Sequence, residues 1–280
     1  GLGIHNFHNT HNVLPPSKMD DTWGTWATLI LPYLEGDNAF RLWEPEKRYY
    51  IQRPEARMHN VKVYFCPSRR GVSVGFSSGD QRTGGSGIQF PDTPGGLSDF
   101  AACVGTHWDQ RDGAITDAQQ RVIVHPVTGA TLTNLSPPPD ALLKVWRSRT
   151  RFLNIVDGTS NTLMIGEKHI RSTIAPGTRE DRSVYNGDHE RGPVGREAGR
   201  GRNSAGVLLD RPLVAHPGRD MGRDAINEDL NDKLFGGPHP GVCQFVFCDG
   251  SVRAIRVSID LDTLARLAGR ADGLPVTGDF

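Results

Sequence analysis

Four cysteines in 280 residues, none in a C-x-x-C pair, are too few to build a disulfide scaffold. They also leave thioredoxin-like chemistry and the common structural zinc ribbons without support. An excess of one charge is missing too. The 32 basic and 32 acidic residues cancel to a formal net charge of zero, so no overall field draws the chain to nucleic acid or to an anionic membrane. No apolar run approaches the ~20 residues of a membrane span. Neither a P-loop nor a dinucleotide fingerprint occurs, and no serine-nucleophile elbow is expected. Turn formers are abundant instead, with 33 glycines and 19 prolines. Together with a mean hydropathy of -0.44 they describe a polar, loop-rich folded protein, long enough to bury a sizeable core.

The clearest local signal lies near the C-terminus. His239, nine residues and Asp249-Gly250 stand in H-PGVCQFVFC-DG-SVRAIRV. Two apolar-rich runs flank a dipeptide that tolerates the positive φ of a type I′ turn, which predicts a β-hairpin. A two-residue turn would place Cys243, Phe245 and Phe247 on one buried face with Val252, Ala254 and Arg256. Cys243 and Cys248 would point to opposite faces and not bridge each other. Asp249 and Gly250 are read as structural. His239 follows Gly236-Gly237-Pro238, which holds it at the hairpin entrance as a hydrogen-bonding latch, with a ligand or general base as the alternatives.

Elsewhere the pattern predicts a helix from Leu2 to Val13, ended by Pro15-Pro16. A core helix follows over Trp23 to Leu34, broken near Pro32, with a further helical turn through Phe40 and Trp43. Val61 to Cys66 alternates like a strand, and 71–96 reads as a long surface loop. Asp99 to Gly105 is a small apolar segment, and Arg121 to Val127 and Leu142 to Trp146 are short strands. A turn at 157–161 leads into a central strand, TLMIGE, with Glu167 near its end. Residues 171–231, rich in arginine and glycine, are expected as an exposed insertion. A short helix spans Leu261 to Leu267, capped by Asp260 and ended near Gly269.

Candidate chemistry is sparse. His5, His8 and His11 lie three residues apart, so adjacent pairs share a helix face; polar packing is the simpler reading and a metal site the sharper one. Asp157 with Ser160 and Asn161 offers oxygens suited to calcium, against a self-capped turn as the plainer account. Cys66 and Cys103 are a candidate disulfide in an oxidising compartment. The arginines Arg191, Arg196, Arg200, Arg202, Arg211, Arg219 and Arg223 are interspersed with acids, which favours a mixed solvated surface over a phosphate-reading patch.

Four segments, GLGIHNFHNTHNVLPPS, WGTWATLILPYLE, VDGTSNTLMIGE and the H-x(9)-D-G block, together resemble a mostly uncharacterised prepilin-like family abundant in planctomycete bacteria. YFCPSRR and FAACVG look similar as well. His5 and His8 match histidines frequent in that family. His11 stands where an aromatic residue is common, and Arg69 where aspartate often follows CPS. The resemblance implies an α+β, type IV pilin-like or pseudopilin-like fold: an N-terminal helix, of which 1–17 would be the tail and exit loop, packed on an antiparallel sheet. Residues 18–280 would form one globular domain with insertions at 71–96 and 171–235 and a C-terminal hairpin. It further implies a non-enzymatic subunit of a surface filament or secretion apparatus in the envelope or outside the cell. Such a subunit would contact copies of itself, have no nucleic-acid partner, and reach the membrane only through an apolar helix ahead of Gly1. No cofactor is expected beyond calcium at Asp157 and Asn161. Two rival classes remain: a secreted module binding surface polysaccharide through Trp108 or Trp146, and a metal-dependent hydrolase using His5, His8, Glu167 or His239.

Overall fold

The computed structural model describes residues 1–82, 90–107, 109–133, 137–188 and 195–276. It is a mixed α+β structure. The chain opens with α1 (Leu2–His11), which stops at Asn12 in the left-handed conformation, φ 55, ahead of the two prolines. Ile4 and Phe7 carry its buried face into the core. The core helix expected over Trp23 to Leu34 is much shorter. Thr25 caps α2 (Trp26–Leu29) by accepting from the Ala27 amide. Pro32, early in the next segment, turns Leu31–Leu34 into a 3-10 turn, as its missing N–H requires. Further short turns follow, α3 (Asp37–Phe40) and α4 (Pro54–Arg57).

Val61 to Cys66 is not a strand. Lys62–Tyr64 is a 3-10 turn, and burial explains it: Val63 is 60% exposed whereas Tyr64, Phe65 and Cys66 are buried in succession, which no period-2 pattern permits. Nor is 71–96 purely a surface loop, because β1 (Asp80–Arg82) pairs with β2 (Phe90–Thr93). Phe90 stacks on Tyr50 with ring centroids 4.3 Å apart.

Three strands come next, β3 (Phe100–Gly105) and then β4 (Gln120–Val124) paired with β5 (Leu142–Arg147), the last two forming a sheet of their own. Then come β6 (Leu163–Glu167), β7 (Gly195–Glu197), the hairpin β8 (Gly199–Arg202) and β9 (Leu208–Arg211), and finally β10 (Val242–Phe247), β11 (Val252–Arg256) and α5 (Leu261–Ala268). The main sheet has the order β11-β10-β6-β3-β7 and is antiparallel except where β7 runs parallel to β3. Ile4, Phe7, Ala102 and Met164 belong to one hydrophobic cluster. Ala101, Cys103, Cys243, Phe245, Phe247 and Ile255 join Leu264 and Leu267 of α5 in another. Asp260 caps α5 through the Asp262 and Thr263 amides, as expected.

β6 does not alternate regularly between these clusters. Val246 opposes Ile165 and Phe247 opposes Leu163, so the pairing slips by one residue around Met164. Leu163 therefore joins one cluster while Met164 and Ile165 join the other. Gly166 accommodates the opposing strand: a Cβ there would lie 2.3 Å from the Phe245 ring, which itself packs edge-on against Phe235.

The hairpin exists, but its turn is longer than expected. The Phe247 amide bonds the Ser251 carbonyl and the Gly250 amide bonds the Phe247 carbonyl, leaving three residues in the loop. Gly250 alone takes positive φ, at 87°, and Asp249 accepts from the Ser251 amide and hydroxyl. The extra residue shifts the register, so that Cys243 faces Ile255 and Phe245 faces Arg253. Val252, Ala254 and Arg256, placed on the buried face by a two-residue turn, are instead exposed.

The segment 171–231 is also not an exposed insertion. Glu180, Asp181, Ser183, Arg196, Glu197 and Arg211 are all at most 1% exposed. Of the arginines expected on a solvated surface, Arg196 and Arg211 are fully buried, and Arg191 lies outside the described residues. Each buried cation has acidic neighbours: Arg211 binds Glu197, Asp224 and Glu228.

Candidate functional site

The end of β6 is where sequence-distant side chains with chemistry meet. Glu167 is the last residue of the strand and is 1% exposed. Its carbonyl accepts from the Gly236 amide, which folds the Gly236-Gly237-Pro238 run over the strand end. Gly237 permits that crossing, because a Cβ there would lie 2.1 Å from Glu167 Oε2. Oε2 accepts from the Gln244 amide at 2.8 Å, leaving Oε1 to face His239 Nε2 at 3.2 Å. Cys66 Sγ approaches the same nitrogen at 3.6 Å.

Cys66 is positioned by Asp99, whose Oδ2 accepts from the Cys66 amide at 2.8 Å. Arg69 ties the neighbouring segments together, donating to the carbonyls of Lys168 and Gly236 and pairing with Asp99. The Cys66, Glu167 and His239 donor atoms all lie within 4.8 Å of one another. Burial pushes the Cys66 thiol up, and the Glu167 carboxylate adds to the effect, despite opposing backbone amides. A thiol held up in this way is a poor nucleophile. The geometry agrees: a catalytic relay needs the acid and the thiol on different imidazole nitrogens, whereas here both address Nε2.

Beneath this cluster lies a buried ionic network. Lys168 Nζ is 3.2 Å from Asp181 Oδ1, both side chains being fully buried. Arg70 binds Asp181 and Asp99. Burial pushes Lys168 down to about 8, against the pull of Asp181. For Asp181 burial acts in the opposite sense, but Lys168 and Arg70 hold its carboxyl well below the usual range. Beside the network a cleft of about 240 Å³ is walled by Ser68, Arg69, His169, Gly236, Gly237 and Pro238.

Of the four residues expected to bind something, the structure brings together Glu167 and His239 and sets His5 and His8 apart. His5 and His8 flank the Phe152 ring, with centroids 4.7 and 4.4 Å away. His5 sits beside Gly250, at the opposite end of β10 from His239. Burial, then His5 and Arg151, push His8 down. His11 turns away to Phe7 and the Tyr33 hydroxyl, so the three-histidine cluster does not form. At the second turn the Asp157 carboxylate accepts from the Asp272 and Gly273 amides, while the Asn161 amide donates to the Asp157 carbonyl. A calcium ion there would compete with these bonds.

The Cys66–Cys103 bridge is not formed, and all four cysteines are free. The Cys66 amide is tied to Asp99, four residues along an extended segment from Cys103, a span of about 13 Å against a bridging limit of about 7 Å. Cys243 and Cys248 fall in opposite clusters, as expected.

Sequence reasoning missed Cys66 as a member of this site, together with Asp99, Arg70, Lys168 and Asp181, because their partners are remote in the chain. It also missed a string with elbow spacing, Gly75-Phe76-Ser77-Ser78-Gly79. Ser77 there is buried and its Oγ accepts from the Gly95 amide, so it is structural. A second donor group, His107, Glu197 and Glu228, is occupied by ion pairs: Arg211 binds both glutamates and Lys233 approaches Glu228.

A family model described as "Protein of unknown function (DUF1559)" matches residues 1–262, and the chain belongs to that family. No curated protein and no solved structure matches the chain.

Proposed function

We propose that this member of the DUF1559 family is a pilin-like or pseudopilin-like subunit of an envelope assembly, acting by association and display rather than by catalysis. The observation that carries the reading is the docking of α1 on the end of an antiparallel sheet. Ile4 and Phe7 enter the core, and Gly1 lies against Val246 and the Gly250 carbonyl. A helix leading into a sheet capped by elaborated loops is what the resemblance to prepilin-like planctomycete proteins implies. No helix among the described residues is long and apolar enough to cross a membrane, so attachment would rest on an apolar helix ahead of Gly1.

Display without turnover is supported by the chemistry at the end of β6, where the thiol is held in its protonated form and the buried ions are paired. A polysaccharide-binding role gains no support from exposed aromatic platforms. Trp23, Trp26 and Trp43 are buried and Trp146 is half-buried, while Trp108 lies outside the described residues. Cell fractionation with in-cell crosslinking of the native protein tests the proposal. Envelope or extracellular material in self-crosslinked ladders is expected; a cytoplasmic monomer would overturn it.

A further inference from the structure

We infer that Cys66, Glu167 and His239 form a binding site for a divalent cation of the zinc class. The proposal goes beyond the assembly role and does not depend on it. Three separate segments supply one donor each: the loop after the Lys62–Tyr64 turn, the end of β6, and the entrance to β10. A tetrahedral ion bound about 2.3 Å from sulfur and about 2.0–2.1 Å from nitrogen and oxygen separates sulfur from its neighbours by about 3.5–3.6 Å and nitrogen from oxygen by about 3.3–3.4 Å. The observed separations are 3.6 Å for Sγ to Nε2 and 3.2 Å for Nε2 to Oε1. The third pair, Sγ and Oε1, lies within 4.8 Å, so an ion can enter as the three donors draw together around it.

Both Sγ and Oε1 point at a single imidazole nitrogen while the thiol also hydrogen-bonds the Glu167 carboxylate, so three ligand-type atoms from remote segments converge on one point. A cation satisfies all three at once. The donor set selects its class: a thiolate with an imidazole disfavours calcium and magnesium, which take oxygen ligands, and favours zinc. Charge balances as well, since a thiolate and a carboxylate cancel a divalent ion, while Arg69 is already paired with Asp99.

The surroundings are those of a held site. Asp99 fixes the Cys66 backbone, the Gln244 amide fixes Glu167 Oε2 and leaves Oε1 to the ion, and Gly237 leaves the carboxylate room. His239, with 28% of its side chain exposed, is the open edge, next to the cleft walled by Ser68 and Pro238. That side offers an entry path and a fourth position for water.

Cobalt(II) titration of the reduced, metal-free protein tests the site, because thiolate coordination gives a charge-transfer absorption that oxygen and nitrogen donors do not. One equivalent per chain is expected, displaced by zinc. The band should vanish in Cys66→Ser, and affinity should fall about tenfold or more in Glu167→Gln and His239→Ala. Cys248→Ser and His8→Ala, at the far end of β10, should leave both unchanged. Glu167→Gln keeps an acceptor for the Gln244 amide and Cys66→Ser is nearly isosteric, so near-ultraviolet circular dichroism of each variant separates lost binding from lost folding. As a second readout, zinc should raise the melting temperature of the unmodified protein and not that of Cys66→Ser. No band, a band that survives Cys66→Ser, or equal loss in Cys248→Ser would overturn the proposal.

Discussion

At one end of β10, His239 meets a thiol and a carboxylate, with an arginine clamp close by. At the other, the Asp249 carboxylate meets Ser251 and the Gly250 amide meets the Phe247 carbonyl, the Asp249 amide bonds the Thr159 carbonyl, and His5 and His8 pack on the Phe152 ring beside them. The H-x(9)-D-G block thus spans two kinds of construction. The turn end combines bonds among residues a few positions apart with two backbone bonds to Thr159 and Thr162, ahead of β6. The entrance end is closed by groups that the chain delivers from far away, such as Cys66, 173 positions before His239. The lesson is that one motif can set its own side-chain bonds locally at one pole and depend wholly on tertiary structure for them at the other.

The largest expected effect is at the dependent pole. Glu167→Ala leaves the Gln244 amide without its acceptor and opens a void under Gly237, so urea denaturation should show a loss of about 3 kcal/mol. Glu167→Gln should cost less than half as much. Equal costs would mean that the charge, and not the hydrogen bond to Gln244, holds this pole together.

Next comes the pH response of the charged side of the molecule. Burial pushes Asp232 up to about 6, with Arg196 opposing, from an unfolded value of 3.8. The stability this group adds is therefore present in full below about 3.8 and is lost as pH rises through about 6. Asp232→Asn should abolish that dependence, gaining on the order of 2 kcal/mol over the unmodified protein between pH 4 and pH 7. Denaturation midpoints of both proteins at the two pH values measure the difference. A difference that does not change with pH would remove Asp232 from the account.

At the turn pole smaller numbers are expected. Gly250→Ala places a side chain at φ 87° and should cost about 1–2 kcal/mol. Asp249→Ala, losing its bonds to Ser251, should cost about 1 kcal/mol. Smallest of all is the coupling between the poles. The double variant Glu167→Gln/Asp249→Ala should be additive within about 0.5 kcal/mol, because the sites are far apart and share no partner. A larger coupling would dissolve the distinction between them.

The same distinction governs what could be read from the sequence. Asp260 as a helix cap, Asp249-Gly250 as a turn, TLMIGE as a central strand and the break at Pro32 are local signals, and the structure has all four. The turn's third residue was invisible, since Asp-Gly serves two-residue and three-residue loops alike, and the register followed the wrong choice. Val61 to Cys66 alternates on paper, but the Tyr64 hydroxyl bonds the Ala27 carbonyl and a 3-10 turn results. Residues 171–231 look solvated by composition because pairing is not encoded locally: Arg196 and Arg211 are buried only because Glu197, Asp224 and Asp232 are placed around them. Glu167 and His239 were legible as candidates from strand-end and loop positions. Their convergence on Cys66 was not, because it is a product of the topology.

The slip around Met164 sets the phase of everything downstream in β6. In a regular strand residues four apart share a face, so Leu163 and Glu167 would point the same way. The one-residue offset inverts that parity. Were the same five residues paired without the slip, the carboxylate would turn toward the cluster that holds Leu264 and Leu267, where a charge has no partner, and away from the imidazole and thiol it now faces. A single surplus residue in the middle of a strand thus acts as a key, deciding which side of the sheet receives the acid.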